Sequence, residues 1–201
     1  AALATKPDCL LIGGPSSTTA LVFEQARGMG FKGGFIVIDQ AKLDYIANLL
    51  KGYKLMDNTI GVAIPMSVGS PVALAFEQKF KPTYKRMVTS EAFRNYGATI
   101  ALAKVIEKAG TATDVYKIRA SFAKALPITG DRIPTEIFGI APNGRLLVSG
   151  ATQTIEKGKL TPPIYAVWWV KNEKEFQDVR KISKTKSHTI WVTTPWDLLN
   201  K

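Results

Sequence analysis

The chain has 201 residues, 46% of them hydrophobic, and a formal charge of +11 from 27 Lys and Arg against 16 Asp and Glu. That is enough apolar content for one large domain or two small lobes, and no apolar run approaches the ~20 residues of a membrane span. The only cysteine, Cys9, and the only histidine, His188, exclude an internal disulfide and do not by themselves make a zinc site.

In chain order, Ala1–Lys6 reads as the tail of a helix that starts outside the chain, and no secretory signal precedes it, so the chain is cytosolic, processed or truncated. The run Cys9-Leu10-Leu11-Ile12 is a buried-strand pattern, and Gly13-Gly14 allow a tight turn at its end. Ser16 or Ser17 then caps a helix whose apolar face holds Leu21, Val22, Ala26 and Met29 and which ends at Gly28 and Gly30. Phe35–Ile38 is the next strand, and Asp39 precedes a helix from about Ala41 with Leu43, Ile46, Ala47 and Leu50 on one face. Thr59–Pro65 is a third strand whose weak alternation predicts burial on both faces.

The loop Met66–Pro71 is a crossover or hinge, followed by helices over about Val72–Met87 and Ser90–Ala109. Pro82 predicts a break in the first, Ser90 a cap for the second, and Gly110 its end. Thr113 caps a third helix to about Leu126, with Val115, Ile118, Phe122 and Leu126 inward. Beyond Pro127 the pattern turns to strands. Ile137–Ala141 and Leu146–Val148 flank the hairpin signal Asn143-Gly144, Ile164–Val170 is a strand with Trp168 and Trp169 on opposite faces, and Ile190–Val192 is a short edge strand in a mixed tail.

Positive charge raises the question of nucleic acid. Lys79, Lys81, Lys85 and Arg86 lie on one helix and Lys181, Lys184 and Lys186 in the tail, without the interleaved aromatics that stack bases. The reading is a solvated basic surface and no nucleic acid. Catalytic patterns are absent too: Cys9 and His188 have no motif neighbours, and Gly13-Gly14 belongs to neither G-x-G-x-x-G nor a P-loop. The expectation is therefore no catalytic residue, no metal and no cofactor. A flavodoxin-like α/β enzyme is a distant alternative.

Three segments carry a family likeness: K-P-D-C-L-L-I-G-G from Lys6, E-Q-A-R-G-M-G-F-K-G from Glu24, and N-Y-G-A-T-I-A-L-A-K-V-I-E-K-A-G from Asn95. They resemble the second half of a type I periplasmic binding protein, closest to the branched-chain amino-acid receptors of ABC transporters. The likeness covers most of residues 1–170. It implies an α/β fold of two Rossmann-like lobes with parallel sheets, of which only the C-terminal half is present. Residues 1–67 are then a C-terminal-lobe segment, 68–127 a helical segment of the N-terminal lobe, and 128–201 a β-rich return with a tail. The implied partners are a small solute such as an amino acid, an ABC permease, and a second copy or the absent N-terminal half. The implied location is periplasmic, or extracellular and membrane-associated. A sensory domain of the same fold is the alternative.

By the same likeness, Asp39 falls where amino-acid receptors set an acidic residue against the ligand's ammonium, a role compatible with capping the next helix. Pro15, Ser16 and Ser17 follow the Gly pair where relatives present an aromatic, a departure that weighs against a branched aliphatic ligand. Tyr96 faces the cleft or fills the core, and Gly97 replaces an acidic residue common in relatives. Met66, with Ser67, lines the hinge. Cys9 reads as a small core residue and His188 as solvated.

Overall fold

The computed structural model describes residues 1–63 and 69–192. The chain divides into two units, Ala1–Ser67 with Ala151–Ile164, and Val68–Gly150 with Tyr165–Lys201. The predicted return segment 128–201 is thus shared: 151–164 joins the first unit and the remainder the second.

In the first unit a 3₁₀ turn (Ala2–Thr5) precedes β1 (Cys9–Gly13), α1 (Ser16–Gly28), β2 (Gly34–Ile38), α2 (Leu43–Leu49) and β3 (Thr59–Val62). The strands are parallel in the order β1-β2-β3, and Leu11, Ile36 and Ile60 are register neighbours. Both helices cover the same face. Ala20, Phe23 and Ala26 of α1 and Leu43, Ile46 and Ala47 of α2 close over Phe35 and Val37. Crossovers that step the same way across a sheet with the same hand place their helices together. Gly61 lies under Leu43, where a Cβ would come within 2.8 Å of its Cδ2. Two further strands complete the unit: β6 (Gly150–Glu156) pairs antiparallel with β3, and β7 (Lys159–Leu160) with β6.

Burial on both faces, predicted for the third strand, does not hold: burial alternates along β3, and Ile60 is exposed. Cys9 is likewise exposed and is not a core residue. Its odd-numbered position in β1 puts it on the face that α1 and α2 leave open.

Arg27 locks the end of α1 to the two chain segments beside it. Its guanidinium donates to the carbonyls of Phe31 (2.7 Å), Gly33 (2.9 Å) and Asp57 (2.6 Å), and its Nε to that of Leu55 (3.1 Å). The charge also sits 4.6 Å from the Phe35 ring centre. Burial pushes the guanidinium's pKa down, and the charge of Asp57 opposes that.

The second unit holds α3 (Pro71–Tyr84), α4 (Ser90–Ala109), α5 (Val115–Ala125), the hairpin β4 (Gly139–Ile140) and β5 (Leu146–Leu147), then β8 (Ile164–Val167), α6 (Glu173–Ile182) and β9 (His188–Trp191). The hairpin forms as Asn143-Gly144 predicts, with Gly144 at φ 83°. The helix caps differ from the reading by one residue. Thr89 rather than Ser90 caps α4 and accepts from the Ala92 amide, while Asp114 rather than Thr113 caps α5. A carboxylate bonded to the Tyr116 and Lys117 amides also complements the helix dipole, which a hydroxyl does not. Val115, predicted inward, is solvent-facing. Pro82 lies in the last turn of α3, which ends at Tyr84 with Lys85 left-handed.

The tail contains a helix that the sequence reading missed. In α6 the apolar stripe is short, Phe176, Val179 and Ile182 at spacing three, with Phe176 buried and Val179 packed against the same cluster. A reciprocal cap marks its start: the Asn172 side chain accepts from the Glu175 amide (2.9 Å) while Glu175 accepts from the Lys171 amide (2.9 Å).

At the centre of this unit Glu136 is 2% exposed. Its carboxylate accepts from the Gly130 amide (2.8 Å), the Lys184 amide (2.7 Å) and the Ser183 hydroxyl, tying the 130–136 loop to the segment after α6. Ser70 extends the network to α3, donating to the Pro134 carbonyl and accepting from the Ala73 amide.

Two stability outcomes follow from these clusters. Arg27→Lys, which keeps the charge but loses the planar fork, lowers the first unit's stability by about 2 kcal/mol. Glu136→Ala strands three donors and lowers that of the second by about 3 kcal/mol. Urea unfolding monitored by hydrogen exchange in each unit measures both.

Candidate functional site

The candidate site lies at the carboxyl ends of β1 and β2, where open parallel sheets bind ligands. Gly13 and Ile38 are register partners, so the turn after β1 and the turn after β2 leave the sheet side by side. Gly14 adopts φ 143°, a conformation suited to glycine, and turns the chain into Pro15 and α1.

Ser16 is the joint between the two turns. Its hydroxyl, buried, donates to the Gln40 carbonyl (3.0 Å) and accepts from the Lys42 amide (2.8 Å). This corrects the capping role. The N-cap is Pro15, which has no side chain able to cap, and the Ser16 hydroxyl is engaged with the neighbouring loop. Ser17 is exposed beside it, and Thr18 donates to the Pro15 carbonyl (3.0 Å). The first-turn amides of a helix have no acceptor within it, and α1 has no acidic residue in its first turn. This end of the turn therefore presents donors.

Asp39 presents the opposite polarity. It is exposed and left-handed at φ 60°, a conformation that aspartate tolerates better than most residues. It does not cap α2, whose N-cap is Lys42 without a side-chain bond. Lys42 instead reaches back, its Nζ donating to the Asp39 carbonyl (2.8 Å). The result is a carboxylate acceptor and a row of amide donors on adjacent turns, the polarity that suits a small zwitterion. Of the sequence candidates, the structure brings Asp39, Pro15, Ser16 and Ser17 onto adjacent turns, joined by Gln40 and Lys42, which take part through main-chain atoms and the Lys42 ammonium and carry no motif.

Tyr96 belongs to the second unit. Its ring packs 5.0 Å from that of Phe76, with the residue 37% exposed, so it is a ring on the α3–α4 seam and not a buried core tyrosine. Gly97 beside it is buried, with Ile133 and Pro134 at ordinary contact distance from where a Cβ would stand. Met66 lies outside the described residues. Among the described residues no group of three or more His, Cys, Asp or Glu is placed to hold a metal, and no helix is long and apolar enough to cross a membrane.

Ser16→Ala removes the joint. The expected outcome is a stability loss of about 1 kcal/mol with faster hydrogen exchange at the Lys42 amide, measured by NMR, while Ser17→Ala changes neither.

The sequence profile of the periplasmic binding protein family matches residues 1–159. A search of curated proteins gave no match. Among solved structures, a leucine binding protein from Thermotoga maritima is 25% identical, with a TM-score of 0.61 over 80% of this chain and 45% of its own. A branched-chain amino acid transporter substrate binding protein from Streptococcus pneumoniae, in complex with isoleucine, is 16% identical with a TM-score of 0.59 over 79% and 44%. A fatty acid ABC transporter substrate-binding protein from Thermomonospora curvata is 15% identical, also at 0.59, over 82% and 43%. The chain thus spans less than half the length of each of these relatives. By its sequence profile, and with the α/β architecture of the type I fold, the chain belongs to the periplasmic binding protein family.

Proposed function

We propose that this chain forms one wall of the solute site of an ABC-transporter receptor, taking an amino acid or a similar small polar solute. The observation that carries this reading is the Ser16 joint, which holds the donor-bearing turn of α1 beside the Asp39 carboxylate at the carboxyl ends of parallel strands. Asp39 meets the solute's ammonium in a charge-assisted hydrogen bond. The Ser17 and Thr18 amides and hydroxyls meet polar groups at the other end.

The relatives whose bound or named ligands are leucine and isoleucine favour an amino acid, and the fatty acid receptor shows that this fold also serves other ligands. In this reading residues 1–67 belong to the C-terminal lobe and the helices of 68–127 to the N-terminal lobe, and Tyr96 and Met66 are candidate solute contacts. Closure of the lobes captures the solute, and the closed form docks to a permease at the membrane from the periplasmic or extracellular side. The chain carries out no catalysis. Closure shifts an equilibrium only by the solute's differential affinity for the closed form.

Calorimetric titration of a receptor that carries this wall with both lobes present, using amino acids, their amides and matched acids lacking the amine, tests this. Amine-bearing solutes are expected to bind, and Asp39→Asn to weaken them about tenfold, near 1.5 kcal/mol. Heats indifferent to both the amine and Asp39→Asn would remove Asp39 from the site. No heat with any small solute would refute the receptor reading.

A further inference from the structure

Formal charge is uneven between the two units. The second carries 19 Lys and Arg against 10 Asp and Glu, a net +9 of the chain's +11. Four of those cations, Lys79, Lys81, Lys85 and Arg86, crowd the end of α3, and no acidic residue lies between Gln78 and Thr89. None of the four makes an ion pair with a described carboxylate. Residues 81–87 are all exposed, with Tyr84 58% and Met87 42% accessible among the charges. We propose that the end of α3 is a docking surface for an anionic lipid bilayer. The cations meet lipid phosphates there, and Tyr84 and Met87 enter the headgroup layer.

A ladder of rings anchors this end of the helix. Phe93 of α4 is fully buried, and its ring centre lies 5.1 Å from that of Phe76. Phe80 follows at 5.6 Å and Tyr84 at 4.5 Å, each about one helical turn further on. The rings therefore run from the core to the exposed end of α3, where Arg86 folds back over Phe80 at 5.8 Å from its centre. Helical geometry places Lys79 on one flank of the Phe76–Phe80–Tyr84 stripe and Lys81 on the other. Aromatic rings between basic flanks are the pattern of helices that lie at a membrane interface. Long basic side chains keep their charge at the phosphates while their stems rest on apolar surface.

Other occupants fit less well. Burying unpaired cations is costly, so an apolar protein layer does not cover this end. Bases need open ring faces, and here Phe76 and Phe80 stack on each other while Arg86 covers Phe80. An acidic peptide needs flanking walls, which a run of seven exposed residues does not supply. A bilayer needs neither a groove nor a register. Each Lys or Arg close to an anionic surface strengthens partitioning about fivefold, and the attraction fades within a Debye length, about 8 Å at physiological salt.

Sedimentation of this chain with sucrose-loaded vesicles tests the proposal. The chain is expected to bind phosphatidylglycerol–phosphatidylcholine vesicles and not pure phosphatidylcholine, and to be released at about 0.5 M salt. Lys79→Gln, Lys81→Gln and Lys85→Asn together weaken binding by at least about thirtyfold. Gln keeps the helix propensity of Lys, and Asn suits the left-handed backbone at Lys85 (φ 50°), so the unfolding midpoint stays unchanged. Tyr84→Ser with Met87→Ser weakens binding about tenfold. Lys117→Gln with Lys174→Gln, on other helices, changes it by less than about twofold, which separates the patch from net charge. No vesicle binding, equal binding to neutral vesicles, or an equal loss from the Lys117 and Lys174 pair would each overturn the proposal. Full binding by the Tyr84 and Met87 variant, or displacement by inorganic phosphate, an oligonucleotide or polyglutamate at matched charge, would overturn it in favour of a soluble anion. These readouts need no solute and no second lobe, so a failed solute titration and failed vesicle binding are separate results.

Discussion

One cation set among main-chain oxygens governs the first unit. Arg27 bonds the carbonyls of Phe31, Gly33, Leu55 and Asp57, so the end of α1, the turn into β2 and the approach to β3 meet at one planar group. Carbonyl groups in such turns have no helix or ladder partner, and leaving them dry and unpaired costs more than any one bond returns. A fork with five N–H donors satisfies several of them at once, as a lysine ammonium on a flexible stem does not. The Phe35 ring under the charge ties the cluster into the core. Because this junction sets where β2 begins, it also sets where β2 ends, and the site residues follow that end.

The same unit shows how backbone order decides sidedness. Side chains along β1 and β2 alternate with apolar residues in both sets, and β3 adds Ile60 and Val62 opposite Thr59 and Gly61, so a sequence reading sees strands buried on two faces. Strand order and crossover direction put both helices on one of them. Cys9 and Ile60 were read as interior for that reason, and both lie on the open side. Their apolar character is real; the cover belongs to no described element.

Polar positions were legible in proportion to how local their partners are. Gly110 ending α4, the Asn143-Gly144 hairpin and the glycines after α1 act through their own backbone conformation, and each is where the pattern put it. Caps slipped by one residue because Thr89 and Ser90, or Thr113 and Asp114, are adjacent residues that can each accept from a first-turn amide, and the backbone start decides which one does. Helix α6 was missed because its apolar stripe is only Phe176, Val179 and Ile182 in an otherwise polar segment, and it packs against strands distant in sequence. Ser16 was legible as a candidate but not for the bonds it makes, since its partners, Gln40 and Lys42, lie on a different connection.

By itself the sequence determined the α/β order, the glycine-bearing turn after β1, the acidic residue after β2 and the family likeness. These depend on periodicity, on the backbone freedom of glycine and on motifs of a few adjacent residues. Only the tertiary structure decided that 151–164 returns to the first unit, that buried Glu136 and half-buried Arg27 are the charges around which loops close, and which face of the sheet stays open. Those outcomes depend on which distant segments pair. Pairing is set by the whole chain's competition to bury apolar surface and satisfy backbone groups, not by any local stretch of residues.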